Sequence, residues 1–274
     1  MALPGFFRRS LDEFRRQATI AIRMEGIHRP TKPFPILSFS APQTIATCKL
    51  MSDQTNFGGL SRASLTYVPG AGRRHDNGRI LNDVDDSAEP SHALFAGSIS
   101  TELPPNRPDV QRSGFAAFRT RDRGVSLFGR LIWDIDPFAY LALRIKSDGR
   151  NYFINIQTDS IVPTDIHQHL LPCYTPGEWE TVMVPFSAFV RTNYGMVVEP
   201  QREMLRQKVK SVGLGLTDRV NGPFGLRVAD VYATNRAPEE GREGRAWGSG
   251  FEVAGGDEEV RVETGPKEPE KILI

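Results

Sequence analysis

Three residues near the middle of the chain have the types and spacing of a metal site. Asp165, His167 and His169 alternate along the sequence, and side chains two residues apart point the same way when the backbone is extended. One carboxylate and two imidazoles form a donor set that zinc accepts. Prolines flank the segment, however, and are typical of a loop. We therefore interpret the three side chains as solvated loop residues and predict no metal.

Several other residues could do chemistry, but their surroundings favour a structural role. Paired carboxylates for glycoside hydrolysis could come from Asp134, Asp136, Asp148 and Asp159. All but Asp159 lie beside turn signals, WDIDP and SDGR, where Asp commonly binds backbone amides. Cys173 has His169 nearby in the sequence but no nucleophile motif around it. The chain also has no GxSxG elbow and no phosphate-binding loop. We predict no catalytic residue, no cofactor and no enzymatic activity.

A candidate binding face comes from the alternation of three strand-like segments. In YLALRIKS, NYFINIQT and FGLRVAD, apolar residues that face a core leave polar residues on the opposite side. The residues expected on that side are Arg144, Phe153, Asn155, Gln157 and Arg227. If these strands are neighbours, the five form one polar face that could bind a sugar, a carboxylate or a protein loop. An ordinary solvated sheet face is the alternative.

The first thirty residues predict an amphipathic helix. Phe7, Leu11, Phe14 and Ile22 recur at helical spacing, with arginines mostly off this stripe. Ser10 stands three residues before Glu13, the spacing of a capping box at a helix start. The helix could be a mitochondrial presequence, could lie on a membrane surface, or could dock on its own domain or on a partner.

The rest of the chain predicts an all-β domain followed by a tail. Between residues 33 and 235, short alternating runs are separated by Gly, Pro and Asp, the pattern of an antiparallel β-sandwich or barrel. Residues 1–32 then hold the amphipathic helix and a linker. Residues 236–274 are rich in Glu, Gly and Pro and predict a flexible charged tail.

Composition narrows the class of partner. The 274 residues are 39% apolar and 24% charged, close to the average of soluble domains. Lys and Arg number 34 against 33 Asp and Glu, a net charge of +1 that gives no global attraction for nucleic acid. No apolar run approaches the roughly 18 residues of a bilayer-spanning helix. Cys48 and Cys173 are too few for a disulfide framework, which fits a reducing compartment.

Several segments together resemble a known family. MSDQTNFGGLSRASL, RSGFAAFRTR, WDIDPFAYLALRIKSDGRNYFINIQTD, GEWETVMVPFSAFV and SVGLGLTDRVNGPFGLRVADVYA occur in the order expected of the complex I intermediate-associated protein family. The resemblance covers residues 39–234. It implies a galactose-binding-domain-like jelly roll, related in architecture to carbohydrate-binding modules. Its motif positions are occupied by Asp53, Gly59, Ser61, Arg119, Trp133, Asp134, Asp148, Gly149, Arg150, Asn155, Trp179, Asp218, Gly222, Pro223 and Phe224.

Elementary chemistry gives most of these motif residues structural roles. Gly149 and Gly222 would adopt positive φ in tight turns, and Asp148 would accept backbone hydrogen bonds. Trp133 and Trp179 would be buried between two sheets. Asp134 or Asp218 would pair with Arg119 or Arg150 at a strand end.

The resemblance also implies a non-catalytic function. Family members act as assembly factors, so we expect binding to membrane-arm intermediates of complex I and to other assembly factors. The expected location is the mitochondrial matrix, with peripheral contact with the inner membrane and no nucleic-acid partner. The alternative from another class is a carbohydrate-binding module with a functional sugar groove, for which Phe153 and Tyr152 are the candidate platforms.

Overall fold

The fold is known from a computed structural model. It describes residues 3–23, 30–70, 89–105, 107–110, 112–162 and 164–236, and in the first helix it describes the side chains of residues 5–18. The predicted tail after residue 236 and the side chain of Ile22 lie outside these ranges.

Strands dominate the described residues. In chain order the elements are α1 (Leu3–Arg23), β1 (Phe34–Ser38), β2 (Cys48–Ser52), α2 (Asp53–Phe57), β3 (Arg62–Val68), β4 (His92–Ile99), β5 (Ala116–Thr120), β6 (Val125–Ser126), β7 (Gly129–Arg130), β8 (Tyr140–Ser147), β9 (Tyr152–Thr158), β10 (Asp165–Leu170), β11 (Glu180–Pro185), β12 (Val190–Asn193), β13 (Met196–Val197), β14 (Val209–Leu216) and β15 (Gly222–Thr234). Short 3-10 turns occupy Pro42–Thr47, Phe186–Ala188 and Arg206–Lys208.

The strands form two antiparallel sheets that pack face to face. The six-stranded sheet has the order β11-β8-β15-β4-β3, with β1 also paired to β15. The seven-stranded sheet has the order β13-β12-β10-β9-β14-β5-β2. The chain crosses between the sheets after β1, β2, β4, β5, β8, β10, β11 and β14, whereas β6 and β7 form a separate ribbon. The predicted antiparallel sandwich of the jelly-roll type is confirmed.

The core lies between the sheets and follows the predicted alternation. Leu141, Leu143 and Ile145 of β8 are fully buried, and so are Ile154 and Ile156 of β9. Burial of each such side chain stabilises the fold by about 1.5–3 kcal/mol. Phenylalanines from both sheets join them, and the ring centroids of Phe95 and Phe118 lie 5.2 Å apart.

The N-terminal helix is confirmed, but its predicted start is wrong. α1 begins at Leu3, so Ser10 lies inside the helix and caps nothing. The Ser10 hydroxyl donates to the carbonyl of Phe6 at 2.9 Å and accepts from the N–H of Leu127 at 3.0 Å. A serine inside a helix commonly bonds the carbonyl one turn back, and here the same hydroxyl also holds the β6–β7 ribbon.

Candidate functional site

The polar face predicted from strand alternation is divided between the two sheets. Arg144 of β8 and Arg227 of β15 lie on the outer side of the six-stranded sheet, opposite its buried residues. Phe153, Asn155 and Gln157 of β9 lie on the outer side of the seven-stranded sheet. The prediction of one shared face is therefore wrong, although each residue points away from the core as expected.

The division follows from the turn between β8 and β9. These strands are consecutive in the chain but do not pair: β8 pairs with β11 and β15, and β9 pairs with β10 and β14. The intervening turn carries the chain across the sandwich. Alternation fixes which side of its own sheet a residue faces, and it contains no information about which sheet the strand joins.

The outer side of the seven-stranded sheet carries three amide side chains, here called the amide face: Asn155, Gln157 and Gln168. Gln168 Nε2 donates to Asn155 Oδ1 at 2.7 Å, and the Thr192 hydroxyl donates to Gln168 Oε1 at 2.8 Å. The Ser211 hydroxyl bonds Gln157 Oε1 at 3.3 Å. These cross-strand bonds hold the amides in fixed orientations, and the surface can offer hydrogen bonds to a polar partner. Sequence reasoning missed Gln168 because its segment was interpreted as a loop.

Two glycines make room for this face. In the register, Gly213 lies opposite both Asn155 and Arg119, and Gly215 lies opposite Phe153. A Cβ at Gly215 would lie 3.0 Å from Asn155 Nδ2, and one at Gly213 would lie 2.7 Å from Arg119 Cβ. The side chains of Asn155 and Arg119 therefore extend over β14, where the two glycines have no side chains, and they fill the space between β9 and β5.

Among the motif residues, Arg150 holds the loop before β15. Its Nη2 and Nε atoms bond both carboxylate oxygens of Asp218, at 2.6 and 2.9 Å. The guanidinium also donates to the carbonyls of Gly222, Pro223 and Val220. The hydrogen bond to Asp218 raises the pKa of Arg150. The predicted pairing of Arg150 with Asp218 is confirmed, and its geometry is that of a structural clamp.

Asp148 has the predicted role of a turn residue. Its carboxylate accepts hydrogen bonds from the N–H of Arg150 at 3.0 Å and of Gly225 at 2.7 Å. The Tyr152 hydroxyl also donates to it at 3.1 Å, and burial together with this carboxylate raises the pKa of Tyr152. Gly149 has a φ of 87° beside it, as predicted, and Gly222 has a φ of 122°.

One buried cluster is formed by Asp53, Gly59 and Ser61. Asp53 accepts from the N–H and the hydroxyl of Ser61 at 2.9 and 2.7 Å, and from the N–H of Gly114 at 2.8 Å. A Cβ at Gly59 would lie 2.6 Å from Asp53 Cγ, so only glycine fits there. The carboxylate ties the start of α2 to β3 and to the loop before β5, and both of its oxygens accept hydrogen bonds from these segments.

The remaining motif residues are spread over the sandwich. Trp133 is buried in the core as predicted, and Phe224 packs on Phe95 with ring centroids 5.0 Å apart. Trp179 is not in the core: its ring meets that of His92 at 5.1 Å. His92 precedes the inward-facing Ala93, so this contact lies on the outer side of the six-stranded sheet. The expectation that Trp179 lies between the sheets is therefore wrong.

Two predicted ion-pair partners have other contacts. Arg119 Nη1 lies 3.2 Å from Asp122 Oδ1, and Asp134 accepts from the N–H of Asp136 at 3.1 Å. Asp134 thus has the turn role that WDIDP suggested. Pro223 is exposed, and its backbone carbonyl is one of the acceptors for Arg150.

The residues with metal-site spacing lie in a strand and point inward. Asp165, His167 and His169 are all buried in β10, so the prediction of a solvated loop is wrong. Asp165 accepts from Asn193 Nδ2 at 2.8 Å, and the His169 ring packs on Phe189 at 5.5 Å. Burial lowers the pKa of both imidazoles. Among the described residues, no group of His, Cys, Asp and Glu is arranged to hold a metal ion.

The two thiols have the opposite character from an activated nucleophile. Cys48 is buried and Cys173 half-buried, and burial raises the pKa of each. A nucleophilic cysteine needs a lowered pKa because the thiolate is the reactive form.

The helix α1 docks on the domain through the edge that carries Phe6, Ser10 and Glu13. Ser10 is buried against the β6–β7 ribbon, and Glu13 is half-buried beside it. The predicted apolar stripe is left outside: Phe7, Leu11 and Phe14 are 58%, 48% and 58% exposed. Among the described residues, no helix has the length and apolar composition needed to cross a bilayer.

Comparison with known proteins identifies the family of this chain. Residues 37–228 match the family model described as Complex I intermediate-associated protein 30. The chain belongs to this family. It is 46% identical over 245 residues to the Neurospora crassa protein "Complex I intermediate-associated protein 30, mitochondrial", covering 86% of each chain. The Mus musculus protein of the same name is 33% identical over 139 residues, which are 50% of this chain and 42% of that one.

Solved structures show a similar architecture at low identity. A family 11 carbohydrate-binding module of Clostridium thermocellum, in complex with a mixed-linked tetrasaccharide, is 12% identical with a TM-score of 0.46. It matches over 77% of this chain and 99% of the module.

The motif residues from Asp53 to Phe224 all lie inside the range that matches the family model, whereas α1 lies outside it.

Proposed function

We propose that this chain is an assembly factor for mitochondrial respiratory complex I and that it acts by binding rather than by catalysis. The observation that carries the proposal is the relation to the Neurospora crassa protein, which extends over 86% of both chains and whose name refers to complex I intermediates. The proposed partners are membrane-arm intermediates of complex I and other assembly factors. The proposed location is the matrix, at the surface of the inner membrane.

The chemistry of the described side chains supports binding. The four carboxylates at motif positions each accept hydrogen bonds from donors of the chain itself: Asp53, Asp134, Asp148 and Asp218. Both thiols have raised pKa values. A stable protein contact needs about 800 Å² on each partner. We propose that the amide face supplies the centre of such a contact, since its polar groups are already oriented.

The experiment replaces the related protein of Neurospora crassa with this chain. A strain lacking that protein receives this chain behind a mitochondrial targeting segment, and its membranes are separated by blue-native electrophoresis. We expect assembled complex I to be restored. The strain without either protein should accumulate smaller membrane-arm intermediates. Normal complex I in that strain, or no restoration by a chain that is folded and imported, would contradict the proposal.

The amide face is tested by a bulky substitution. Gln168→Arg places a large side chain on it. We expect loss of co-purified complex I subunits, because this side chain keeps the partner's surface from packing against the amide face. Thr181→Arg is the matched control, since Thr181 is also half-buried but lies on the outer side of the six-stranded sheet. Mass spectrometry after affinity purification measures both. Equal recovery of subunits with the two variants would place the contact elsewhere.

The described residues do not favour a sugar groove. Tyr152, one of its two candidate platforms, is completely buried, and Phe153 alone remains on the outer surface. Sugar sites commonly combine apolar or aromatic walls with a few convergent polar groups. Calorimetric titration with oligosaccharides separates the two functions, and binding at millimolar concentration or below would reopen this alternative.

A further inference from the structure

The docked helix and the β6–β7 ribbon expose large apolar side chains at one place. Leu127 and Phe128 at the tip of the ribbon are 66% and 63% exposed. The N–H of Leu127 bonds the hydroxyl of Ser10, which lies one helical turn from both Phe7 and Phe14. The ribbon tip therefore borders the apolar stripe of α1. Two elements that are far apart in sequence contribute to one continuous surface, here called the helix–ribbon surface.

The orientation of the helix is the opposite of that expected for a helix held by its own domain. Surface helices ordinarily bury their apolar stripe and expose their polar side. Here Ser10 is 5% exposed, and its neighbour Glu13 pairs with Arg16 at 2.7 Å. The stripe lies about 100° round the helix from this docked edge. Because the helix is anchored through the edge that carries Ser10, the apolar stripe is left exposed among the described residues.

The charged residues around the helix–ribbon surface indicate the kind of partner that it could bind. Arg8 and Arg15 are exposed, beside Asp12, and follow the stripe on the side away from the domain, and Arg130 on the ribbon pairs with Asp159 at 3.1 Å. Arg9 lies on the docked side, with its guanidinium close to Gly124. The whole chain has a net charge of only +1, so this group of arginines is a local feature. Arginines beside a Phe and Leu stripe are typical of helices that lie in the interface of an anionic bilayer.

We propose that the helix–ribbon surface binds a phospholipid bilayer with anionic headgroups. α1 would lie parallel to the bilayer, with Phe7, Leu11 and Phe14 below the headgroups and Phe128 inserted beside them. The arginines would then lie at the level of the phosphates. This deepens the proposed location at the inner membrane, but the surface itself is tested without complex I.

The test uses the purified full-length chain and vesicles. Phosphatidylcholine vesicles with and without phosphatidylglycerol are sedimented with the protein. We expect binding that needs the anionic lipid and falls with added salt. Phe14→Glu and Phe128→Glu should each weaken it at least tenfold, while Leu103→Glu, at an exposed apolar residue in the loop beside the start of β5, the opposite end from the ribbon, should not. Circular dichroism and thermal unfolding confirm that each variant is folded.

Other occupants of the surface give different results. If a second copy covers it, the chain dimerises, Phe14→Glu makes it monomeric, and vesicles are not bound. If a protein covers it, Phe14→Glu blocks assembly of complex I in vivo although the purified chain binds no vesicles. Either result overturns the proposal, and so does vesicle binding that is indifferent to both Glu variants. Restoration of complex I by the unchanged chain would leave the proposed function standing in each case.

Discussion

At the scale of single residues, the motif positions serve the loops of the sandwich. Arg150 and Asp218 show this most clearly, because their side chains are only 14% and 6% exposed and bond each other through two pairs of atoms. Removing one partner from a buried ion pair leaves an uncompensated charge. A lysine at residue 150 would keep the charge but could not reach both carboxylate oxygens and the three carbonyls.

We therefore predict that Arg150→Lys lowers the free energy of unfolding by about 2–3 kcal/mol, measured by urea denaturation. Arg107→Lys is the control, since Arg107 and Asp109 form a similar pair on the exposed surface. It should leave the free energy of unfolding unchanged within error. Equal effects of the two substitutions would show that the clamp contributes no more than a surface pair.

His167 and His169 predict how stability depends on pH. Burial lowers the pKa of both imidazoles in the folded chain, whereas in the unfolded chain they take up protons as the pH falls through about 6.5. The unfolded state then binds more protons, so the free energy of unfolding falls as the pH drops below about 6.5. We expect a lower value at pH 5.5 than at pH 7.5, measured by urea denaturation.

The control for this pH dependence separates titration from packing. The double variant His167→Gln, His169→Gln should lose much of the difference between the two pH values. Ile156→Val, which destabilises the same region without removing an imidazole, should keep it. If the double variant retains the full difference, other groups are responsible.

At the scale of elements, β14 shows how close packing selects a residue. A Cβ at Gly213 would lie 2.3 Å from the carbonyl oxygen of Phe118, whereas one at Gly225 in β15 would meet nothing within 4 Å. We predict that Gly213→Ala destabilises the fold by about 2 kcal/mol or more because the backbone of β5 must move. Gly225→Ala should be tolerated. Thermal unfolding of the two variants decides, and similar midpoints would contradict the prediction.

The elements also show where prediction from sequence stops. The strands β8, β9 and β15 and their buried sides follow from alternation, and α1 follows from its helical spacing. The sequence predicts a loop where β10 lies, because polar residues and flanking prolines hide the strand's period of two. Its polar residues are inside because Asn193 and Phe189 provide partners there, and those contacts come from a distant part of the chain.

At the scale of the whole molecule, Asn235 closes the described domain. Its amide donates to the carbonyls of Pro30 and Pro137 at 3.1 and 2.8 Å, and its oxygen accepts from the N–H of Ala139 at 2.9 Å. The segment before β1 is thereby joined to the end of β15 and the loop before β8. These bonds lie at the boundary predicted for the domain, residues 33–235.

Asn235 gives a test of that boundary. We predict that a chain ending at residue 236 has the same midpoint of thermal unfolding as the full chain, since the following residues were predicted to form a tail. Asn235→Ala should lower the free energy of unfolding by about 2 kcal/mol, because backbone groups lose their partners. A large loss of stability on removing residues 237–274 would show that the domain extends further.

The sequence by itself determined the antiparallel sandwich, the buried sides of β8, β9 and β15 and the family, because alternation and turn residues are local properties and the motifs occur in a fixed order. Only the tertiary structure decided that Arg144 and Asn155 lie on opposite surfaces, since a turn can lead into either sheet. It also decided that α1 docks by Ser10 and leaves Phe14 outside. A periodic pattern identifies the apolar side of a helix, but what covers that side depends on contacts between residues that are distant in the chain.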